Sequence, residues 1–163
     1  MRLCTFILKG EDPRKQRAGA VVDSIVYELG RSGSVLDLLT SGEQMGTLAP
    51  RGKGHSAAET RLYPPIPRPG KILATIVNTQ AMLGGKDLKL DRPRIDMKAP
   101  STVIGPGEMI LAPESGARPE VELAAIVGRK LAGATEREAE KGIAGYTVLN
   151  DVTAPSDSRE DAY

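Results

Sequence analysis

Three acidic side chains stand in apolar segments of strand type, where a buried strand would carry none. Glu120 and Glu122 alternate with apolar residues in segment 119–124, and Asp151 lies near the end of the apolar segment 145–152. Residues i and i+2 of a strand point to the same face, roughly 6–7 Å apart, so the two glutamates share a face. Like charges at that distance repel unless a cation or a proton compensates them. If the two strands are neighbours, three carboxylates converge, a ligand set that suits Mg²⁺, Mn²⁺ or Ca²⁺ rather than zinc.

The same spacing has a simpler interpretation, because an E-x-E segment is commonly the solvated face of a half-buried sheet. From the spacing alone, that outcome is the more frequent one. The sequence segments around the acids add information. In order and spacing, segments 98–107 (KAPSTVIGPG), 120–129 (EVELAAIVGR) and 143–154 (IAGYTVLNDVTA) resemble three motifs of the fumarylacetoacetate hydrolase family. The resemblance covers about residues 69–155 well and the N-terminal part loosely.

The resemblance implies an enzyme that acts on a 2-oxo or 2,4-dioxo acid by C–C hydrolysis, isomerisation, decarboxylation or hydration. It implies a divalent metal, Mg²⁺ or Mn²⁺ with Ca²⁺ as a further candidate, held by the three acids named above. Lys98 would be a catalytic cation beside the substrate, although a surface lysine at a strand end is the simpler alternative. Asn78 and Tyr146 would be substrate-binding residues, and the ligand would be a small-molecule 2-oxo acid.

Two departures from the family pattern favour a second hypothesis. Met82 and Gly85 stand where hydrolytic and decarboxylating members carry the histidine and glutamate of an acid–base pair, and neither can move a proton. Pro155 stands where the family has an arginine after its metal-binding aspartate, and Arg159 is out of register. The alternative is therefore a catalytically deficient subunit that binds metal and works by association.

The length of the chain bears on association, because cores of the family continue well beyond the N-D-V segment. Half a core would expose unpaired edges and apolar surface, which natural proteins avoid. We therefore expect a homodimer, or a hetero-oligomer with a chain that supplies the rest of the core.

Composition excludes several classes of protein. The 163 residues carry 22 basic and 21 acidic side chains, so nothing indicates a nucleic-acid or membrane partner. Cys4 is the single cysteine, so no disulfide can form within the chain. No apolar run is long enough to span a membrane, and a cytoplasmic location is expected. His55, the single histidine, lies in a polar segment and is interpreted as solvated.

The predicted fold is a mixed, β-rich α+β class. A small N-terminal β domain (1–62) and a proline-rich connector (63–70) precede part of a β-roll of the family's type (71–163). Apolar runs and turn residues predict strands over Arg2–Lys9, Ala18–Val22, Ile25–Leu29, Lys71–Val77, Ile95–Met97, Thr102–Ile104, Met109–Leu111, Glu120–Val127 and Tyr146–Asn150. Capping residues predict helices over Val35–Thr40 and about 135–141. Segments Gly46–Ser56 and Asn78–Leu90 are expected to be loops.

Overall fold

The computed structural model describes residues 2–42, 48–76 and 92–154. These residues form mainly β-structure in two compact units, one comprising Met1–Leu36 and Pro50–Pro106, the other Asp37–Ala49 and Gly107–Tyr163. The strands are β1 (Arg2–Leu8), β2 (Arg17–Val22), β3 (Ile25–Ser32), β4 (Arg51–Ser56), β5 (Thr60–Tyr63), β6 (Ile72–Ile76), β7 (Arg94–Lys98), β8 (Val121–Val127) and β9 (Ile143–Asn150). Helix α1 covers Val35–Thr40, helix α2 covers Glu136–Glu140, and a 3₁₀ turn covers Pro100–Thr102.

The first five strands form one antiparallel sheet in the order β4-β3-β2-β1-β5. Strands β2 and β3 are joined by the two-residue turn Asp23–Ser24, in which both residues have positive φ (46° and 66°). Positive φ at both central residues is typical of a type I′ turn, whose twist matches that of the flanking strands. The strands that the sequence predicted over Ala18–Val22 and Ile25–Leu29 are therefore confirmed, and they pair as a hairpin.

Strand β1, which lies between β2 and β5, is buried on both faces. On one face Cys4 and Phe6 pack with Val26 of β3, and Leu8 and Val21 lie against this cluster. On the other face the Thr5 hydroxyl donates a hydrogen bond to the Pro65 carbonyl (3.1 Å) and accepts one from the Val35 N–H (3.0 Å). Burial also raises the pKa of the Cys4 thiol to about 11, so this cysteine is an uncharged core residue.

The first unit also contains a two-stranded antiparallel sheet, β6–β7. Leu73 pairs with Met97 and Thr75 with Ile95, so these four side chains share one face. The three apolar members of that face, Leu73, Ile95 and Met97, are exposed.

Strands β8 and β9 form the third sheet, an antiparallel pair in the second unit. Helix α2 lies in the connection between them and begins at a complete capping box. The Thr135 hydroxyl accepts a hydrogen bond from the Glu138 N–H, and the Glu138 carboxylate accepts one from the Thr135 N–H (2.9 Å). This satisfies two backbone donors that a helix start leaves unpaired.

Most predicted elements are confirmed within a residue or two at their ends, but three predictions are wrong. Residues 51–56 were expected in a loop and form edge strand β4, which pairs along one side with β3. The glycines of this segment led to the wrong prediction, because glycine is typical of loops. Here glycine is required by the close approach to β3, since a Cβ on Gly54 would lie 2.4 Å from Cγ2 of Ile25. His55 is consequently half-buried, opposite Val26 and with its ring centroid 6.4 Å from that of Phe6, rather than solvated.

The other two wrong predictions are the strands at 102–104 and 109–111. Pro100 begins a 3₁₀ turn instead, closed by a hydrogen bond from the Thr102 N–H to the Ala99 carbonyl (3.0 Å). Residues 109–111 are apolar but form no strand, and Met109 and Leu111 are exposed. Apolar content predicted both strands, whereas a strand also requires a partner for its backbone groups. The loop predicted at 78–90 lies outside the described residues, and the predicted domain boundaries at 1–62, 63–70 and 71–163 stay predictions.

Candidate metal site

The pairing of β8 with β9 determines where the three predicted metal ligands lie. Val121 is opposite Asn150, so the register places Glu120 opposite Asp151, and the Asp151 N–H donates to the Glu120 carbonyl (2.7 Å). Two residues further on, Arg118 and Thr153 exchange a pair of backbone hydrogen bonds of 2.8 and 3.0 Å. The ladder therefore continues beyond the strands and fixes the backbone at Glu120 and Asp151.

All three carboxylate residues belong to one face at one end of this hairpin. Glu120 and Glu122 are two residues apart along the chain, and directly opposed residues such as Glu120 and Asp151 have Cβ atoms about 4.5–5.5 Å apart. The face is partly covered, since Glu122, Ala124 and Ile126 are all half-buried. The convergence that the sequence predicted on condition that the strands are neighbours is thus present in the backbone register.

The carboxylate groups themselves are not gathered into a ligand shell. Within the ranges that the structure describes, no three His, Cys, Asp or Glu side chains lie close enough together to hold a metal ion. The Glu120 carboxylate is instead engaged by the Arg118 guanidinium, whose Nε and Nη2 both lie 2.9 Å from Oε1. The Glu120 N–H donates to Oδ1 of Asn150 (3.1 Å), which orients the backbone just before β8.

The donor set nevertheless fits a hard divalent cation. Three carboxylates supply oxygen ligands from one face of the hairpin, and two of the acids are directly opposed across the ladder. Uncompensated, such a cluster of like charges is unfavourable, and Arg118 supplies one positive charge to it. Glu120, Glu122 and Asp151 would hold the ion after rearrangement of their side chains, without a change of strand register.

The remaining predicted site residues are placed as follows. Tyr146 is opposite Ala125, on the face of the hairpin that does not carry the carboxylates, and its side chain is exposed. Lys98 is the last residue of β7, half-buried and opposite Ile72, in the first unit. Asn78 lies outside the described residues, as do Met82, Gly85, Pro155 and Arg159. The catalytic role of Lys98 and the substrate-binding roles of Asn78 and Tyr146 stay predictions.

Sequence reasoning missed Arg118 and Asn150 as neighbours of the carboxylates, although one signal was available for each. Arg118 precedes a proline, which restricts it to extended conformations. In an extended segment Arg118 and Glu120 point to the same side, as the structure shows. Asn150 adjoins Asp151 and caps the exposed N–H at the start of β8, a use of short amide side chains that is common at strand and turn boundaries.

Comparison with known proteins identifies the family of the chain. The family model described as fumarylacetoacetate (FAA) hydrolase C-terminal matches residues 73–162, more than half of the chain. The chain belongs to this family. The resemblance first seen in three short motifs is thereby confirmed.

Curated relatives include two oxaloacetate tautomerases. YisK of Bacillus subtilis is 31% identical over 107 residues, covering 61% of this chain and 36% of that protein. Mitochondrial Fahd2a of Rattus norvegicus is 26% identical over 147 residues, covering 83% and 46%. The chain thus spans less than half the length of these relatives.

Solved structures confirm the β-rich α+β fold. An uncharacterized protein from Mycobacterium abscessus superposes with a TM-score of 0.70 and 27% identity, over 100% of this chain and 60% of that one. The 5-carboxymethyl-2-hydroxymuconate delta-isomerase of Mycobacterium smegmatis gives 0.71 over 100% and 59%, and at 24% identity it supports the fold alone. No helix of the described residues is long and apolar enough to cross a membrane.

Proposed function

We propose that this protein is a divalent-metal-dependent enzyme of the family that acts on a 2-oxo acid, with Glu120, Glu122 and Asp151 as the metal ligands. The observation that carries the proposal is the register of β8 against β9, which brings these residues to one face and one end of a ladder. Mg²⁺ and Mn²⁺ suit such oxygen ligands, and Ca²⁺ is a further candidate. A metal ion bound there would polarise the carbonyl of a 2-oxo acid and stabilise enolate charge.

Among the reactions of the family, we favour keto–enol isomerisation of the 2-oxo acid. The relatives named above are oxaloacetate tautomerases, and tautomerisation moves protons without breaking a C–C bond. Met82 and Gly85 leave the chain without the acid–base pair that hydrolytic members use at these positions, so the proton transfers of a tautomerisation have to use another group of the site. A general acid–base group is typically worth 10²–10⁴ in rate, so hydrolysis of an acylpyruvate should be slow.

The second candidate is a subunit that binds metal but does not catalyse. The same two residues favour it, because neither methionine nor glycine exchanges a proton. The two candidate functions share the metal site and differ in turnover. Measurements of metal binding and of turnover on the same wild-type and variant proteins therefore distinguish them. A cytoplasmic location stays a prediction from the sequence for either candidate.

Calorimetric titration of Mn²⁺ into the wild-type chain, Glu122→Gln and Glu140→Gln tests the site. Glu140 ends α2 and is exposed, which makes its variant a matched control for loss of one carboxylate. We expect Glu122→Gln to weaken Mn²⁺ binding at least tenfold and Glu140→Gln to leave it unchanged. If the wild type does not bind Mn²⁺, or if Glu122→Gln binds Mn²⁺ as tightly as the wild type, the proposed metal site is wrong.

Turnover is then measured on the Mn²⁺-loaded wild type, from the ultraviolet absorbance of enol oxaloacetate as it converts to the keto form. Conversion faster than in buffer with Mn²⁺ alone, and lost in Glu122→Gln, supports the enzyme. Metal binding without such conversion supports the non-catalytic subunit. Rapid cleavage of acetylpyruvate by the pure chain would contradict the preference for isomerisation.

We also propose that protein covers the second face of the β8–β9 hairpin, in a homodimer. This face carries five exposed apolar side chains, namely those of Val121, Leu123, Val127, Tyr146 and Val148. Contiguous apolar patches of this kind mark association surfaces. Sedimentation velocity at low micromolar concentration should show a dimer that Leu123→Asp converts to monomer. A wild-type monomer with a cooperative melt contradicts the homodimer, and a requirement for a second, different chain would favour the hetero-oligomer.

A further inference from the structure

We propose that Arg118 is an exchangeable cation of the metal site. Its guanidinium neutralises Glu120 while no divalent ion is bound, and it binds the carboxylate of the acid substrate once an ion has taken Glu120. The inference rests on the proposed function, because it assigns a role to a residue of the same site. Arg118 would then be the residue of the proposed site that determines specificity for an acid substrate.

The position of Arg118 is the first observation behind the proposal. Both Nε and Nη2 lie 2.9 Å from Oε1 of Glu120, so the guanidinium lies on the carboxylate face of the hairpin. The backbone of Arg118 is fixed independently of its side chain by the two hydrogen bonds to Thr153, of 2.8 and 3.0 Å. A substitution of the side chain therefore leaves the ladder in place.

The exposure of the pair is the second observation. The Arg118 side chain is 69% exposed, whereas that of Glu120 is 29% exposed. An ion pair with one largely exposed partner contributes little to stability, so a divalent ion that gains several carboxylates can replace it. The long arginine side chain can then turn within the same face, toward an anion held beside the carboxylates.

The chemistry of the site is the third observation. Three carboxylates repel an anionic substrate, and a bound divalent ion offsets only part of that charge. A planar guanidinium with several N–H donors matches a carboxylate in a two-pronged geometry. Pro155 stands where the family resemblance places an arginine, and Arg118 is a guanidinium that already lies against Glu120.

The test separates metal binding from anion binding. Wild type, Arg118→Gln, Arg118→Lys and the control Arg129→Gln are titrated first with Mn²⁺ and then, loaded with Mn²⁺, with oxalate as a dianionic probe of a 2-oxo acid. Arg129 follows the opposite end of β8, where its Nη2 donates to the Glu138 carbonyl (2.9 Å), so its variant matches the charge change away from the site. Circular dichroism checks that each variant is folded.

We expect Arg118→Gln to bind Mn²⁺ as well as the wild type or a few fold more tightly, because a competing cation is gone. We expect its Mn²⁺-loaded form to bind oxalate about tenfold or more weakly, as loss of charged hydrogen bonds predicts. Arg118→Lys should restore part of the oxalate affinity, and Arg129→Gln should match the wild type in both titrations.

Two results overturn the inference and leave the metal site standing. One is equal oxalate affinity of the Mn²⁺-loaded wild type and Arg118→Gln. The other is a large loss of Mn²⁺ affinity in Arg118→Gln, which would make Arg118 a support for the carboxylates. If the wild type binds no Mn²⁺, the proposed function itself fails, and the oxalate titration is not needed to show it.

Discussion

The N-terminal five-stranded sheet and the β8–β9 hairpin are built from similar apolar residues, yet they use them differently. In the sheet, β1 has a partner strand on each side and is buried on both faces, with Phe6 fully inaccessible to solvent. In the hairpin, Leu123 and Val148 face each other across the ladder and are each 74% exposed. An isolated two-stranded ladder is marginally stable in water, whereas three or more strands with an apolar face can fold alone.

The difference separates the part of the chain that contains the buried core from the part that carries the candidate metal ligands. The sheet contains the cluster of Cys4, Phe6 and Val26, and its single cysteine is held uncharged by burial. The hairpin carries Glu120, Glu122 and Asp151 on one face and an apolar surface on the other. We therefore expect substitutions in the sheet to change folding of the chain itself, and substitutions in the hairpin to change binding and association.

The largest expected effect is that of Phe6→Ala. Removing a fully buried phenylalanine should lower the free energy of unfolding by about 3–5 kcal/mol. Urea unfolding followed by circular dichroism at several protein concentrations measures it, and the loss should not depend on concentration.

Leu123→Ala is the matched substitution on the hairpin. Its cost should rise with protein concentration, because the exposed leucine is covered on association in the proposed homodimer. Equal and concentration-independent losses in the two variants would mean that both regions belong to one core, and the comparison would fail.

A smaller effect is expected for Gly19→Ala in β2. A Cβ on Gly19 would lie 2.8 Å from Cε1 of Phe6 and 3.0 Å from the Tyr27 carbonyl oxygen. The Phe6 ring is fully buried and the second neighbour is backbone, so neither can move away cheaply. Overpacking of this kind typically costs about 1–3 kcal/mol. Gly10→Ala tests backbone strain rather than overpacking, because Gly10 has positive φ (89°) and open space around it. A stability of Gly19→Ala equal to that of the wild type would contradict the close packing of β1 on β2.

How much of this could be predicted from sequence differs between the two regions. Asp23–Ser24 and the apolar runs around it predict the β2–β3 hairpin, because turn chemistry and alternation are local. The shared face of Glu120 and Glu122 follows from strand geometry alone. The position of Asp151 opposite Glu120 does not, since it depends on a register between segments that are some thirty residues apart.

The errors have the same origin. Strand β4 reads as a loop because its glycines are required by contact with Ile25, a residue far along the chain. Segment 109–111 reads as a strand because it is apolar, although no strand of the described residues pairs with it. Local composition indicates which residues avoid water, whereas pairing decides which of them form a sheet.

A third, smaller effect is expected at the start of α2. Thr135→Ala removes the hydroxyl that accepts from the Glu138 N–H, and it removes the hydroxyl that donates to the Glu138 carboxylate (2.8 Å). Loss of such a cap typically costs about 1 kcal/mol. Amide hydrogen exchange should show reduced protection in 136–142 and unchanged protection in β1 and β2. Thr135→Ser keeps the hydroxyl and should retain the wild-type pattern. Loss of protection in β1 as well would show that the two units unfold together.

The smallest expected effect is electrostatic and lies in the connection between β1 and β2. Glu11 accepts hydrogen bonds from Nη1 and Nη2 of Arg17 (2.8 and 2.6 Å) and from the Leu8 N–H (3.0 Å). The hydrogen bonds to Arg17 are the main cause that lowers the pKa of Glu11 from its usual 4.5 to about 2. The folded state therefore holds the ionised form more strongly than the unfolded state does.

The direction of the pH dependence follows from that shift. A carboxylate whose pKa is lowered on folding contributes stability above its unfolded pKa of 4.5, and this contribution is lost as the pH falls toward about 2. Glu11→Gln should be less stable than the wild type near neutral pH, and the two should converge as the pH approaches about 2. Urea midpoints measured across this range test it, with Glu114→Gln, in the exposed turn at 113–116, as the control for loss of one carboxylate. A constant difference between Glu11→Gln and the wild type at every pH would show that Glu11 stabilises the loop by packing rather than by its charge.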